Sequence, residues 1–289
     1  FVFYVITGIT VKFFTGPVDQ GFPGMKDVEF LVYSTVGGSL VCILWVLAKK
    51  WYRLKSNGPA TWGGMTFPEE FFYIIPSGVC TAVVIVTTTL NYMLLPSVMV
   101  AMVITRGSVI VISRVVDAIQ IAKGILHKKV YLVEDIAVGV AVLAVATQIF
   151  FHGGLPDAKA QAVFSSANDA CPFWIGWASS GSGGEWSVAA MIVLAFYILS
   201  YMVRIYIMNY FKNTRGKGVP LDNHGFFGVE QISASVTIVL VAILFFFSPM
   251  IFGAGHPSIT TFRESFTNPL PEWRQAILAG TAYGLVAFF

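Results

Sequence analysis

The sequence predicts an all-α membrane protein, built as a polytopic helical bundle, and three observations lead to this fold class. Of the 289 residues, 56% are hydrophobic and only 11% are charged, whereas a soluble domain has about 25% charged residues. The mean hydropathy of the chain is +0.75. Apolar runs long enough to approach the span of a bilayer alternate with polar connections.

Eight apolar segments are predicted as spans, and a complete bundle is expected to have ten. They are residues 1–14, 28–51, 71–95, 98–121, 130–151, 186–211, 226–247 and 276–289. The first and last of these are short for a span of about 20 residues. We therefore expect the sequence to be a piece of a longer protein, with spans cut at both ends.

Basic residues in the connections predict the orientation of these spans. The connections after the second, fourth and sixth spans are basic, and the others carry few lysines or arginines. Their basic residues are Lys49, Lys50, Arg53, Lys55, Lys123, Lys128, Lys129, Lys212, Arg215 and Lys217. By the positive-inside rule these connections and the N-terminus are cytoplasmic.

The longest connection, residues 153–185, follows the fifth predicted span and is expected on the outer or lumenal side. A division into five and five spans makes residues 1–152 a first repeat. Residues 186–289 then form a second repeat that is C-terminally truncated. Two halves with an odd number of spans insert in opposite orientations, which predicts two inverted five-helix repeats with a site near the midplane between them.

The fourth span carries polar residues along one helical face. Arg106, Ser113, Asp117 and Gln120 fall within a narrow stripe at about 100° per residue. Arg114 lies to one side, three residues from Asp117, which is pairing distance on a helix. Ionisable groups at membrane depth cost several kcal/mol, so this stripe is predicted to face a central cavity.

Arg106 and Asp117 each have two interpretations. Arg106 contacts a solute in the cavity, or it is a structural arginine that holds helix-end carbonyls. Asp117 forms a neutralising pair with Arg114, or it is a charge that exchanges partners during a conformational change. Arg106 and Asp117 are about 16 Å apart along the helix and cannot pair, so Arg106 is the sharper candidate for a solute contact.

Three further residues complete the candidate binding set. Lys12 in the first span either lines the cavity or extends to the membrane interface. Glu230 contacts the solute or meets the positive end of its helix dipole. Asn91 contacts the solute or forms hydrogen bonds between packed helices. Arg204, near the predicted cytoplasmic end of the sixth span, is expected to extend towards the interface.

The sequence shows no pattern for a metal site, an enzyme active site, a cofactor site or nucleic-acid binding. No cysteine–histidine cluster has the spacing of a metal site, and Cys42 and Cys80 lie inside apolar runs as packing residues. No nucleophile–base pair or cofactor motif is present, so we expect no enzymatic activity and no cofactor. The basic residues are distributed as topology signals and predict no binding of nucleic acid.

Two adjoining segments carry a family resemblance. Residues 90–99, LNYMLLPSVM, and 104–111, ITRGSVIV, resemble the third-to-fourth helix region of the drug/metabolite transporter superfamily. The likeness is nearest to the F-type and chloroquine-resistance-transporter-like members of its solute carrier 35 branch, whose fourth helix has an Arg-Gly-(Ala/Ser)-Val-Ile core. Lys12 stands where such members often carry a lysine, and residues 228–231, GVEQ, are similar to a Gly-Thr-Glu-Gly pattern there.

The resemblance implies ten helices in two inverted repeats, both ends cytoplasmic, and a central cavity for an organic solute. It therefore implies a secondary transporter that works by alternating access in an organelle or plasma membrane. The solute is expected to be a nucleotide sugar, an amino acid or a drug-like metabolite. Arg114, Asp117 and the long connection depart from the family pattern. The alternative is a transporter-like structural subunit without transport activity, in a homodimer or a larger membrane assembly.

Overall fold

The chain is described by a computed structural model that consists mainly of helices. The described residues are 2–16, 18, 21–62, 65–94, 98–126, 133, 136–140, 142–143, 185–216, 218–252 and 257–286. The helices are α1 Val2–Thr15, α2 Asp27–Lys49, α3 Phe71–Leu94, α4 Val98–Ala122, α5 Glu185–Asn213, α6 Asn223–Phe252, α7 Pro257–Thr267 and α8 Trp273–Val286. The strands are β1 Pro59–Trp62 and β2 Met65–Pro68.

Four of the described helices are long and apolar enough to cross a membrane. They comprise Asp27–Lys49, Phe71–Met93, Ile192–Asn213 and Asn223–Ser248. In a bilayer every backbone polar group must be bonded within the protein, and a helix meets this requirement by itself. The protein is thus a helical, membrane-embedded protein, as the composition predicts.

The number of candidate spans is smaller than the eight predicted. α1 and α8 have 14 residues each, or about 21 Å of helix, against a hydrocarbon core of about 30 Å. α4 is long but is not among the four, and it carries Arg106, Arg114 and Asp117. The predicted span 130–151 lies largely outside the described residues, and the connection 153–185 lies wholly outside them.

A small antiparallel hairpin stands between α2 and α3, in a region predicted as a loop. Pro59 is paired with Pro68, and Trp62 with Met65. Four residues per strand are too few for an alternating pattern to stand out from the sequence. The hairpin adds a minor β element to a fold that is otherwise helical.

α2 and α8 pack at very short range because glycines lie at their contact. A Cβ atom on Gly37 would overlap the carbonyl oxygen of Ile277. In the same way, a Cβ atom on Gly280 would overlap the carbonyl oxygen of Ser34. Small residues allow helix backbones to approach closely in membranes, so this contact depends on the absence of side chains.

α3 occupies the middle of the bundle and contacts both α5 and α6. Gly78 lies about two helical turns into α3, where a Cβ atom would come 2.7 Å from the carbonyl oxygen of Glu230. The hydroxyl of Ser233 on α6 donates to the carbonyl oxygen of Ile75, at 3.1 Å. α6 is therefore held against the part of α3 that contains Pro76.

Three apolar clusters form the core of the described bundle, and the third of them, Ile112, Val116 and Ile205, joins α4 to α5. The first, the α1 cluster, joins α1, α2, α3, α4 and α8. Its buried members are Val11, Phe14, Met25, Phe30, Val32, Tyr33, Tyr92, Ala101 and Ala276. The second, the basic-end cluster, consists of Ile74, Phe211, Phe226 and Val229, close to the basic connections that follow α2 and α5.

Candidate functional site

A central cavity of about 300 Å³ lies between α2, α3, α5, α6 and α8, with one contribution from α4. Pockets for small molecules begin at about this volume. The polar side chains that line it are Thr35, Ser39, Thr81, Thr88, Arg106, Tyr197, Tyr201, Arg204, Gln231, Ser235 and Tyr283. Its wall therefore offers hydroxyl, amide and guanidinium groups within an apolar bundle.

Along the helix axes, the cavity lies between the α1 cluster and the basic-end cluster. On α3, Thr81 and Thr88 line the cavity. Ile74 of the basic-end cluster precedes Thr81 by about 10 Å of helix, and Tyr92 of the α1 cluster follows Thr88 by about 6 Å. This places the cavity near the middle of the α3 span, the depth at which the sequence predicts a binding site.

A buried ion pair supports the cavity wall. Arg204 on α5 places Nε 3.0 Å from Oε1 of Glu230 and Nη2 3.0 Å from Oε2. The Glu230 side chain is fully buried. Ser77 and Thr81 on α3 donate their hydroxyls to Oε1, at 2.6 and 3.0 Å. Three helices thus converge on one carboxylate, and charge-assisted bonds of this kind are the strong ones.

Glu230 lies behind the wall rather than in it. Arg204 and Thr81 line the cavity, and Glu230 is not among the described lining residues. The expectation that Arg204 extends to the interface is wrong, because its guanidinium turns inward to Glu230. Arg204 precedes the end of α5 and Glu230 follows the start of α6 by similar numbers of residues. Arg204 and Glu230 therefore lie at similar depths in consecutive helices, and this spacing in the sequence could have predicted the pair.

Arg106 is the member of the α4 stripe that lines the cavity. Beside it, the Tyr197 hydroxyl donates to the Thr105 carbonyl oxygen at 3.4 Å, which sets this part of α4 against α5. Arg106 brings a second guanidinium to the wall, on a different helix from Arg204. The structure therefore places Arg106 where a solute contact is predicted.

Two other residues of the stripe, Asp117 and Gln120, contact α5. Asn209 donates its Nδ2 to Oδ1 of Asp117 at 3.0 Å, and Gln120 donates its Nε2 to the Tyr206 carbonyl oxygen at 2.8 Å. Ser113, Asp117 and Gln120 are not among the described lining residues. The cavity meets only one end of the stripe, because α4 continues past it along α5.

Lys12 and Asn91 are placed away from the described lining. Lys12 is on α1, and Asn91 is near the end of α3, next to Tyr92 of the α1 cluster. Asn91 is 1% exposed, and its Nδ2 has no hydrogen-bond partner among the described residues. Both residues stay predictions for the solute site.

A second buried ion pair was missed in the sequence. Glu70, 1% exposed, accepts hydrogen bonds from Arg215 Nη1 at 2.9 Å, from the Asn57 amide at 2.6 Å and from the Ser56 hydroxyl at 2.5 Å. The Arg215 guanidinium also lies 4.0 Å from the centre of the Phe211 ring. The sequence interpretation counted Arg215 as a topology signal, since its partner lies 145 residues away.

The described wall of the cavity consists of apolar, hydroxyl, amide and guanidinium groups. Within the part of the chain that the structure describes, no group of three or more histidine, cysteine, aspartate or glutamate residues could hold a metal ion. No protein-family model, curated protein or solved structure matches the chain. The resemblance to the drug/metabolite transporter superfamily therefore stays a prediction from Lys12 and residues 90–99, 104–111 and 228–231.

Proposed function

We propose that the protein is a secondary transporter that moves a small organic solute by alternating access around the central cavity. The observation that carries this proposal is the cavity itself. It is enclosed chiefly by helices long and apolar enough to cross a membrane, and its wall carries two guanidinium groups. Polar groups at this depth are costly and are typical of a solute pathway.

The contacts at the basic end support a gated carrier. The basic-end cluster lies between the cavity and the connections that follow α2 and α5, and the Glu70–Arg215 pair joins these two connections to each other. The cluster joins different helices and the pair joins different connections, so both contacts can separate when helices rock apart. Under this proposal the basic connections and the N-terminus are cytoplasmic. Residues 1–152 form a first five-helix repeat, residues 186–289 belong to a second, inverted repeat that is C-terminally truncated, and the two move against each other in a multi-pass fold.

The proposed solute contact is Arg106, with Arg204 held in position by Glu230. Asp117 and Ser113 are proposed to act outside the cavity lining. They belong to the polar stripe of α4, where Asp117 contacts α5, and this contact would slide when the helices rock. Lys12 and Asn91 are proposed for a different conformation, in which the α1 cluster opens. Likeness of the quoted segments to the drug/metabolite transporter superfamily supports the same assignment.

Uptake into proteoliposomes tests the proposal. Nucleotide sugars, amino acids and organic cations are first screened for thermal stabilisation of the purified chain, because a ligand that binds only the native state raises its stability. Uptake of the best compound is then measured for the parent, Arg106→Ala and Asp117→Asn. We expect Arg106→Ala to lower uptake at least about tenfold, the effect of losing about 1.4 kcal/mol of binding.

Arg274→Ala is the matched control, since Arg274 is an exposed arginine of α8 outside the described lining. Its uptake should equal that of the parent. Parent-like uptake by both Arg106→Ala and Asp117→Asn would mean that the site is assigned to the wrong residues. No uptake of any compound by the parent would count against the carrier itself.

A structural subunit of a larger membrane assembly is the second candidate. Among the described residues, the later part of α6 leaves Val239, Leu240, Ile243 and Leu244 largely exposed. An apolar surface of this kind contacts either lipid or another protein. Native mass spectrometry separates the candidates. A stoichiometric complex without substrate-dependent stabilisation favours the subunit, and a stabilised chain that transports solute favours the carrier.

A further inference from the structure

One face of α6 brings three different chemical groups to the cavity. Phe227, Gln231 and Ser235 all line it and follow each other at intervals of four residues. Residues four apart lie on the same side of a helix, about 6 Å from each other along its axis. A ring, an amide and a hydroxyl therefore stand in a row along the cavity, which we call the α6 row.

Gln231, in the middle of the α6 row, brings a buried side-chain amide to the cavity. The residue is 4% exposed, and its side chain forms no hydrogen bond with any residue that the structure describes. The amide atoms keep accessible surface, and Gln231 lines the cavity, so a molecule in the cavity can reach them. A buried amide without a partner costs free energy that a ligand bonded to it recovers.

Neighbouring polar groups of the wall already have bonds within the protein. Thr81 and Arg204 are both bonded to Glu230, and Arg106 also has an interaction within the protein. The Gln231 amide, by contrast, still has one acceptor oxygen and two N–H donors to offer. It is therefore the group from which the chemistry of a ligand is inferred.

A second amide is the best complement to a free amide. Two amides that face each other form two N–H···O bonds, one in each direction, whichever way the glutamine amide is turned. A carboxylate has only acceptors, and a ketone has no donor, so either would leave the Gln231 oxygen without a bond. Gln231 is thus suited to an uncharged solute with a donor and an acceptor side by side.

Aromatic rings close to Gln231 indicate the rest of the solute. Phe227 precedes Gln231 by one turn of α6, and Tyr201 lines the cavity from α5. The Tyr201 ring lies 5.8 Å from the guanidinium of Arg204, which is bonded to Glu230, the residue before Gln231. Aromatic side chains make favourable offset or edge contacts with another ring. A cavity of about 300 Å³, at the lower end for small-molecule sites, favours a solute with a single ring.

We propose that the cavity binds a small, uncharged aromatic carboxamide, with its amide paired to Gln231 and its ring against Phe227 and Tyr201. This inference rests on the proposed carrier function and narrows its solute, among the classes expected from the sequence, to a drug-like metabolite. Arg106 keeps its proposed role, because a guanidinium donates to a neutral carbonyl oxygen as well as to an anion.

Three pyridines with the same ring and end groups of similar size test the inference on the full chain in detergent. Nicotinamide carries a carboxamide, 3-acetylpyridine a methyl ketone and nicotinate a carboxylate. We expect saturating nicotinamide to raise the melting temperature by roughly 3 °C or more. The other two should need at least about tenfold higher concentrations for the same shift, because each leaves a bond of Gln231 unmade. Equal shifts for the three compounds, zero included, or a stronger response to nicotinate would overturn the inference.

Two glutamine variants locate the contact. Gln231→Leu should remove the preference for nicotinamide over 3-acetylpyridine and leave the ligand-free chain at least as stable as the parent. Gln120→Leu is the matched control, since Gln120 is also buried but donates to the Tyr206 carbonyl oxygen at 2.8 Å. It should lower the ligand-free melting temperature and retain the preference. A preference that survives in Gln231→Leu, or a Gln231→Leu chain that does not fold, would contradict the inference.

Uptake of the same compounds by proteoliposomes, corrected for entry into protein-free liposomes, separates this inference from the carrier function. Selective stabilisation by nicotinamide without protein-dependent uptake of any compound leaves the amide site standing and contradicts the carrier. Protein-dependent uptake of nicotinate or of a nucleotide sugar, without stabilisation by nicotinamide, leaves the carrier standing and contradicts the amide site. Protein-dependent uptake led by nicotinamide supports both.

Discussion

Arg204 on α5 and Glu230 on α6 meet through two parallel hydrogen bonds of 3.0 Å, with the carboxylate fully buried. The pair joins two consecutive candidate spans, and its arginine lines the cavity. Breaking a buried pair costs more than the pair contributes, because the charge that remains has no counter-charge. This asymmetry makes the pair testable.

Glu230→Gln should lower the free energy of unfolding by about 3 kcal/mol, because Arg204, with 22% of its side chain exposed, then keeps its charge without a carboxylate. Unfolding in mixed micelles provides the measurement. The double variant Arg204→Gln/Glu230→Gln should lose clearly less than the sum of the single losses, by about 1–3 kcal/mol. Additive losses would show that the two side chains are not coupled.

Gly280→Ala should destabilise the contact between α2 and α8. The added methyl group meets the backbone oxygen of Ser34, which cannot turn away as a side chain can, so we expect a loss of about 1–3 kcal/mol. Gly139→Ala is the matched control, since no atom of the described residues lies within 4 Å of its Cβ position. Thermal unfolding of both variants in one detergent decides the matter, and equal melting temperatures would contradict the close approach.

Arg215→Lys should weaken the basic end although it keeps the charge. Lysine cannot reproduce the fork that reaches Glu70 at 2.9 Å and the flat contact 4.0 Å above the Phe211 ring. A loss of about 1–2 kcal/mol is expected from one charged hydrogen bond and one cation–π contact. The reverse exchange, Lys212→Arg, at an exposed residue, should be neutral in the same unfolding assay. Equal stability of Arg215→Lys and the parent would mean that Arg215 lies in solvent.

Asp117→Asn should change stability by less than about 1 kcal/mol, because an amide oxygen still accepts the hydrogen bond from Asn209, 3.0 Å away. Asp117→Leu, which has no acceptor, should lose about 1 kcal/mol or more. Both free energies are measured in mixed micelles. If the Asn variant unfolds as easily as the Leu variant, the charge of Asp117, rather than its contact with Asn209, maintains the helix contact.

The helical class follows from local chemistry and was predictable. Long apolar runs with few charges form helices in a membrane, whatever their neighbours are, and the four candidate spans coincide with predicted ones. The full count of eight was not confirmed, because α1 and α8 are short, α4 is not among the candidate spans, and residues 130–151 lie largely outside the described residues. The inverted repeat stays a prediction, since it concerns the arrangement of helices in space.

The residue pattern alone predicts that polar groups at membrane depth, Arg106 above all, face the interior of the protein. Which part of the interior each group faces depends on how the helices pack. Helix packing separated Arg106 at the cavity from Asp117 against α5, turned Arg204 inward to Glu230, and joined Glu70 to Arg215. The physical reason is the distance along the chain between the residues involved. Hydrophobicity and helix propensity can be read from neighbouring residues, whereas ion pairs and cavities depend on residues brought together from distant helices.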